Sequence, residues 1–285
     1  MNRLTRAKML ACLGLGVVAF LFLSACDFDD LVAPRVESTE VKAATFALEG
    51  VPTVVTETSN GAVTVRGVEG QNDVRVTATL SARGDTLEEA NKKLEKMVVS
   101  MSQDGDRVTL RFRASEQPTD ARKHTSVEFD ILMPIHGDID VDTSNGEVTV
   151  SDVVGTVEIE TSNGKIDIDH IVGSIRLDTS NGAINMRDID GSIDAETSNG
   201  AIVFRGHLLG DTHRMRTSNG AIEVAIPQDT ALRIDASTSN GSISTNLPLI
   251  GDTEGKSWSA TLNSPSVSTL DLRTSNGSIR IEGLP

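Results

Sequence analysis

The sequence predicts an all-β chain wound as a β-solenoid, and three observations lead there. The tetrapeptide Thr-Ser-Asn-Gly occurs eight times, beginning at Thr58, Thr143, Thr161, Thr179, Thr197, Thr217, Thr238 and Thr274. Beneath it runs a finer period, with glycines nine residues apart at 146, 155, 164, 173, 182, 191 and 200. Between the glycines, short segments alternate apolar and polar residues, as in GSIRLDTSN followed by GAINMRDID. Such alternation is a strand with one buried face. A fixed short repeat means units that bury their apolar face only by stacking on neighbours.

Two nine-residue units make one 18-residue coil of two short strands. The stacking columns then follow. Val157, Ile175 and Ile193 fall in register, as do Ile159, Leu177 and Ala195. On the second strand Ile166, Ile184 and Ile202 align, and Ile168 sits with Met186 and Phe204. Thr161, Thr179 and Thr197 share the inward parity, their hydroxyls able to bond the turn backbone. With strands about 4.8 Å apart, roughly nine coils would make a rod about 43 Å long. A propeller blade needs a period of about 40 residues, and the Gly-Gly-x-Gly-x-Asp string of calcium-binding β-rolls does not occur.

Asn-Gly accommodates left-handed backbone at low steric cost, which suits a tight turn. Structural turns are therefore assigned to Asn60-Gly61, Asn145-Gly146, Asn163-Gly164, Asn181-Gly182, Asn199-Gly200, Asn219-Gly220, Asn240-Gly241 and Asn276-Gly277.

The N-terminus carries a different signal. Arg3, Arg6 and Lys8 precede an apolar stretch from Met9 to Leu23, and Leu23-Ser24-Ala25-Cys26 closes it. A basic start, an apolar stretch and small residues make a secretory signal. The ending resembles the lipobox of bacterial lipoproteins, which implies cleavage after residue 25 and lipidation of Cys26. An aspartate after the cysteine, here Asp27, resembles an inner-membrane retention signal in some bacteria. The expected organisation is a signal peptide over 1–25, the lipidated Cys26 with an acidic tether over 26–44, and the solenoid over 45–285. Within the solenoid lies a strand-helix-strand excursion at about 71–135. There DVRVTATLSA reads as a strand; Thr86 and Glu89 fit a capping box. Leu87, Ala90, Leu94, Met97 and Val98 form one helical face. The excursion is expected to cover an end of the stack, where a bare sheet edge invites unwanted pairing.

With the eight tetrapeptides, the opening VPTVVTETSNGAVTV, the join MPIHGDIDVDTSNG and the ending LDLRTSNGSIRIEG in view, the chain resembles the bacterial putative-adhesin family, a domain of unknown function built from β-strand repeats. The resemblance covers roughly residues 44–285. It implies a right-handed β-solenoid, a cell-envelope location and no established enzymatic activity. It supplies no catalytic residues.

Composition narrows the partners. The formal charge is −15, which repels phosphate backbones and argues against nucleic acid. Aromatics are 3%, with no Tyr and one Trp, so platforms for stacking bases or sugars are scarce. Both cysteines, Cys12 and Cys26, lie at the N-terminus, leaving none for a disulfide or thiolate metal site downstream.

Among side chains, Asp142, Glu160, Asp178 and Glu196 precede the tetrapeptide at outward parity and form an acidic column that Arg216 ends. It reads either as a binding stripe for cations or a partner, or as a solvated face limiting aggregation. The five histidines (His124, His136, His170, His207 and His213) show no metal-ligand spacing, and His207 and His213 are expected at the surface. Asp167, Asp169, Glu158 and Glu160 could supply paired carboxylates for polysaccharide cleavage, but short coils build no cleft walls. No nucleophile elbow, phosphate loop or dinucleotide fingerprint occurs. No enzyme, cofactor or metal is expected. The leading expectation is a lipid-anchored envelope scaffold that binds an unidentified envelope or extracellular partner. A periplasmic structural or regulatory protein is the alternative, and a polysaccharide-active β-helix enzyme ranks third.

Overall fold

The computed structural model describes residues 35–113, 116, 117, 123–266 and 268–284. The signal segment and Cys26 lie outside the described residues. The described residues are all-β with one short helix.

In chain order it forms β1 (Val36–Ala47), β2 (Thr53–Thr58), β3 (Val63–Val68) and β4 (Asp73–Gly84), then α1 (Leu87–Glu95). Next come β5 (Ser100–Asp104), β6 (Arg107–Phe112), β7 (Thr125–Pro134) and β8 (Asp138–Thr143). The regular coils follow as β9 (Val148–Thr161), β10 (Ile166–Thr179) and β11 (Ile184–Thr197), then β12 (Ile202–Leu208), β13 (Thr212–Thr217) and β14 (Ile222–Ile226). The chain ends with β15 (Leu232–Thr238), β16 (Ile243–Thr245), β17 (Ile250–Asp252), β18 (Ser257–Leu262), β19 (Ser268–Thr274) and β20 (Ile279–Gly283).

β9, β10 and β11 pair in parallel at an offset of 18 residues, with Ile166 opposite Val148 and Ile184, and Ile175 opposite Val157 and Ile193. The stack is solenoid-like. Each of these strands turns a corner near Gly155, Gly173 or Gly191 and so contributes to two faces. The face formed before the tetrapeptide runs β5-β6-β2-β8-β9-β10-β11-β13-β19-β15-β18-β17. The other runs β1-β4-β7-β3-β9-β10-β11-β12-β14-β20-β16. Between them lies one continuous core of Val, Ile, Leu, Met and Phe, almost all of it fully buried.

The rungs do not stack wholly in chain order. β2 and β3 sit directly against β8 and β9, and the excursion folds back beyond them. At the other end β19 and β20 insert between β13–β14 and β15–β16. The 36-residue step between the last two tetrapeptides is therefore no further pair of coils at the tip.

The tether expectation fails over residues 36–44. These form most of β1, paired antiparallel with β4 along its whole length. Alternation there is weak because β1 is an edge strand whose residues are mostly half-buried or exposed. The helix is as expected in its cap, with the Thr86 hydroxyl accepting from the Glu89 backbone N–H at 3.2 Å. Its buried face is narrower than expected. Within α1, Ala90 and Leu94 are buried and Leu87 is exposed; the helix stops at Glu95, and beyond it Met97 is buried and Val98 exposed. Among the described residues no helix is long and apolar enough to cross a membrane.

Candidate functional site

The tetrapeptide serves the stack through all four residues. Its threonine is buried in every copy. Thr179 accepts from the Gly182 N–H at 3.1 Å and donates to the Gly164 carbonyl of the preceding rung at 3.2 Å. Thr197 repeats this with Gly200 and Gly182, at 3.2 and 2.9 Å. Serine supplies a carbonyl to the next rung, as from Ser162 to the Asn181 N–H at 3.0 Å. The asparagines form a ladder in which Asn145, Asn163, Asn181, Asn199, Asn219, Asn276 and Asn240 each donate to the amide oxygen of the previous rung, at 2.7–2.9 Å, starting from Asn60.

The left-handed turn expected at Asn-Gly is not what forms. None of the eight asparagines has positive φ, and among the tetrapeptide glycines only Gly61 does, at 119°. A solenoid corner passes the chain to the next rung without reversing it into a hairpin, so no mirror-image turn is required. Glycine is needed for close approach instead. A Cβ at Gly182 would stand 1.7 Å from the Gly164 carbonyl oxygen.

The outward acids form a stripe on the first face. Asp142, Glu160, Asp178 and Glu196 are all exposed and lie in register on successive rungs. The structure adds Glu57, opposite Asp142, which chain separation hid. Arginines bracket the stripe, with Arg111 beyond Glu57 and Arg216 beyond Glu196. Burial pushes the Glu57 carboxyl up, but hydrogen bonds from Arg111 and Arg113 outweigh it and hold the group below the ordinary glutamate range. In the adjacent column Arg176 bridges Glu158 at 3.6 Å and Asp194 at 3.4 Å. Burial, reinforced by Glu158, raises the Asp140 carboxyl there.

The carboxylates considered for polysaccharide cleavage do not converge. Glu158 and Glu160 belong to the first face, whereas Asp167 and Asp169 lie on the second. Asp167 is buried, bonded by Lys165 at 2.5 Å and Asn185 at 2.9 Å. Those partners outweigh its burial and hold the carboxyl below the usual aspartate value.

A second cluster arises from a backbone irregularity. In β9–β11 the buried residues fall at Val150 then Val153, Ile168 then Ile171, and Met186 then Ile189. The alternation there skips a residue. The extra positions, Asp152, His170 and Asp188, have φ of 61°, 53° and 50°. Asp and His are among the side chains that tolerate this left-handed region. All three strands share this outward bulge at the same place in the repeat, so the 18-residue register holds on either side and the three side chains stack above one another. The His170 Nδ1 lies 3.4 Å from Asp169 and 4.0 Å from Asp152, and its Nε2 lies 3.7 Å from Asp188. Beside it a surface hollow of about 470 Å³ is lined by His170, Asp188, Asp190, Arg205, His207 and Leu284 among others. His207 Nδ1 pairs with Asp190 at 2.6 Å. Histidine spacing alone missed this cluster because its partners are carboxylates one and 18 residues away. The broken alternation was the available signal.

His213 departs from expectation. It is fully buried, in the column between Ile193 and Leu270, rather than at the surface. Neither ring nitrogen has a hydrogen bond of good geometry. Burial lowers its pKa from 6.5, with the Gly210 backbone acting weakly in the other direction.

The Toastrack DUF4097 family model matches residues 42–282. Nothing among curated proteins matches the chain. Similar solved structures include a putative cell adhesion protein from Clostridium sporogenes, at 12% identity and a TM-score of 0.36, covering 87% of this chain and 100% of that one. A putative adhesin from Bacteroides fragilis is similar at 10% identity and a TM-score of 0.37, covering 86% and 97%. A putative lipid binding protein from Parabacteroides distasonis is similar at 8% identity and a TM-score of 0.39, also covering 86% and 97%.

Proposed function

The chain belongs to the Toastrack DUF4097 family, and from that premise we propose a lipid-anchored cell-envelope scaffold, adhesin-like and non-catalytic. The fold in this reading is a right-handed β-solenoid whose two-strand coils wind around one core. Cys26 carries the lipid, and the rod presents its regular faces to an envelope or extracellular partner.

One observation carries the reading. Five exposed or half-buried carboxylates, from Glu57 to Glu196, lie on consecutive rungs of a flat face and stand about 4.8 Å apart. None of Asp142, Glu160, Asp178 or Glu196 takes part in an ion pair among the described residues. A row of like charges this dense is complementary to a cationic surface, while the candidate acid–base carboxylates sit on opposite faces.

Two measurements test the proposal. A Cys26→Ala change is expected to shift the protein out of the lipid-modified membrane fraction, and retention there would remove the anchor. Protease added to intact cells is expected to digest the domain. Resistance that persists until the outer membrane is opened would place it inside and end the surface-binding reading.

A further inference from the structure

The bulge positions of the middle rungs assemble ligand chemistry that the acidic stripe lacks. We propose that Asp169, His170 and Asp188 form a surface site for a divalent transition-metal ion of zinc type. One ligand atom from each lies within 4.8 Å of the others. Tetrahedral zinc with bonds of about 2.1 Å needs ligand atoms about 3.4 Å apart. His170 and Asp188 are the exposed members of the set, and their side-chain torsions would supply that closure.

Three features favour the assignment. An imidazole with two carboxylates suits zinc and its neighbours, whereas calcium takes six to eight oxygens. The Asp169 Oδ1 is buried with no hydrogen-bond partner, Arg187 Nε standing 4.0 Å away. Arg187 thus holds Oδ1, while the other oxygen, Oδ2, is the one turned to the His170 ring at 3.4 Å, so the carboxylate is oriented by a partner before any ion arrives. Finally, the spacing of the ligands is fixed by the ladder on either side of the bulge, with Ile168 opposite Met186 and Ile171 opposite Ile189. Asp152 adds a further carboxylate within 4.0 Å of the ring. Three protein ligands leave one position of the ion open, toward the hollow where Arg205 stands. An anionic group on a partner fits that position.

The test is calorimetric titration of Zn²⁺ into the full chain in detergent, without a histidine tag. One saturable site per chain is expected. His170→Asn and Asp188→Asn should each weaken it at least about tenfold. Asparagine is chosen because it accepts the left-handed backbone found at both positions; circular dichroism verifies that both variants stay folded. His207→Gln should leave binding unchanged. In the wild-type chain, Zn²⁺ should also shift the His170 imidazole resonances and leave those of buried His213 in place. Absence of saturable binding, wild-type affinity in both asparagine variants, loss confined to His207→Gln, or an unmoved His170 signal would each overturn the site.

Discussion

Each residue of the tetrapeptide answers a contact with the rung next to it. The glycine has the sharpest requirement. At Gly182 an added methyl would meet backbone, the Gly164 carbonyl oxygen at 1.7 Å, and backbone cannot swing aside as a flexible side chain can. Gly182→Ala should therefore cost on the order of 3 kcal/mol, whereas Ser180→Ala, on an exposed side chain two residues away, should be near neutral. Chemical denaturation of the two variants reads the contrast, and equal stabilities would refute the close-approach argument. His213 makes the opposite case, a polar ring set in an apolar column. Its folded pKa lies below the unfolded value of 6.5, so the unfolded state binds more protons once pH falls below about that value. Stability is then lost with acidification, by up to about 1.4 kcal/mol per pH unit from this one group. His213→Leu should remove that component, and its stability advantage over wild type should widen between pH 7 and pH 5. A constant difference across that range would show that His213 is not neutral and buried.

Among the elements, those governed by period were readable from the sequence and those governed by end effects were not. Ile166, Ile184 and Ile202 announce their own register because every rung repeats the same inward parity, and the pairing follows it. β1 hid because an edge strand has no neighbour on one side to enforce alternation. Residues such as Val41 stay exposed there, so 36–44 looked like a polar linker. The helix was visible through Thr86 and Glu89, but its length was overestimated where apolar residues continued past the last turn. The bulge cluster follows the same rule. Its sequence trace is a single skipped step, Ile168 to Ile171, which strict alternation treats as noise. The stacking of His170 between Asp152 and Asp188 is a property of three strands together. The acidic stripe was found in four of its members for the converse reason, since those four lie in consecutive coils. Glu57, 85 residues before its neighbour Asp142 in the chain, joins only when β2 docks against β8.

The molecule as a whole is one stack whose order differs from its chain order at both ends. The asparagine ladder records that order, passing from Asn60 to Asn145, on to Asn219, then to Asn276 and last to Asn240. Insertion of the last coil between its two predecessors places β19 and β20 inside the stack. It also leaves β15 and β16 as the outermost repeat rung, capped on one face by the antiparallel β18 and β17. The excursion does the same at the opposite end, where β4, β7 and β6 lie outside β2 and β3. Covered ends keep a regular parallel stack from recruiting further strands. The pairwise distance between spin labels on the exposed turn serines tests this arrangement most directly, with Cys12 and Cys26 replaced by alanine. From a label at Ser144, one at Ser275 lies five rungs away, about 24 Å, and one at Ser239 lies six rungs away, about 29 Å. Ser239 should give the longer distance, although it is nearer in the chain; a shorter distance for Ser239 than for Ser275 would refute the ladder order and the stack built on it.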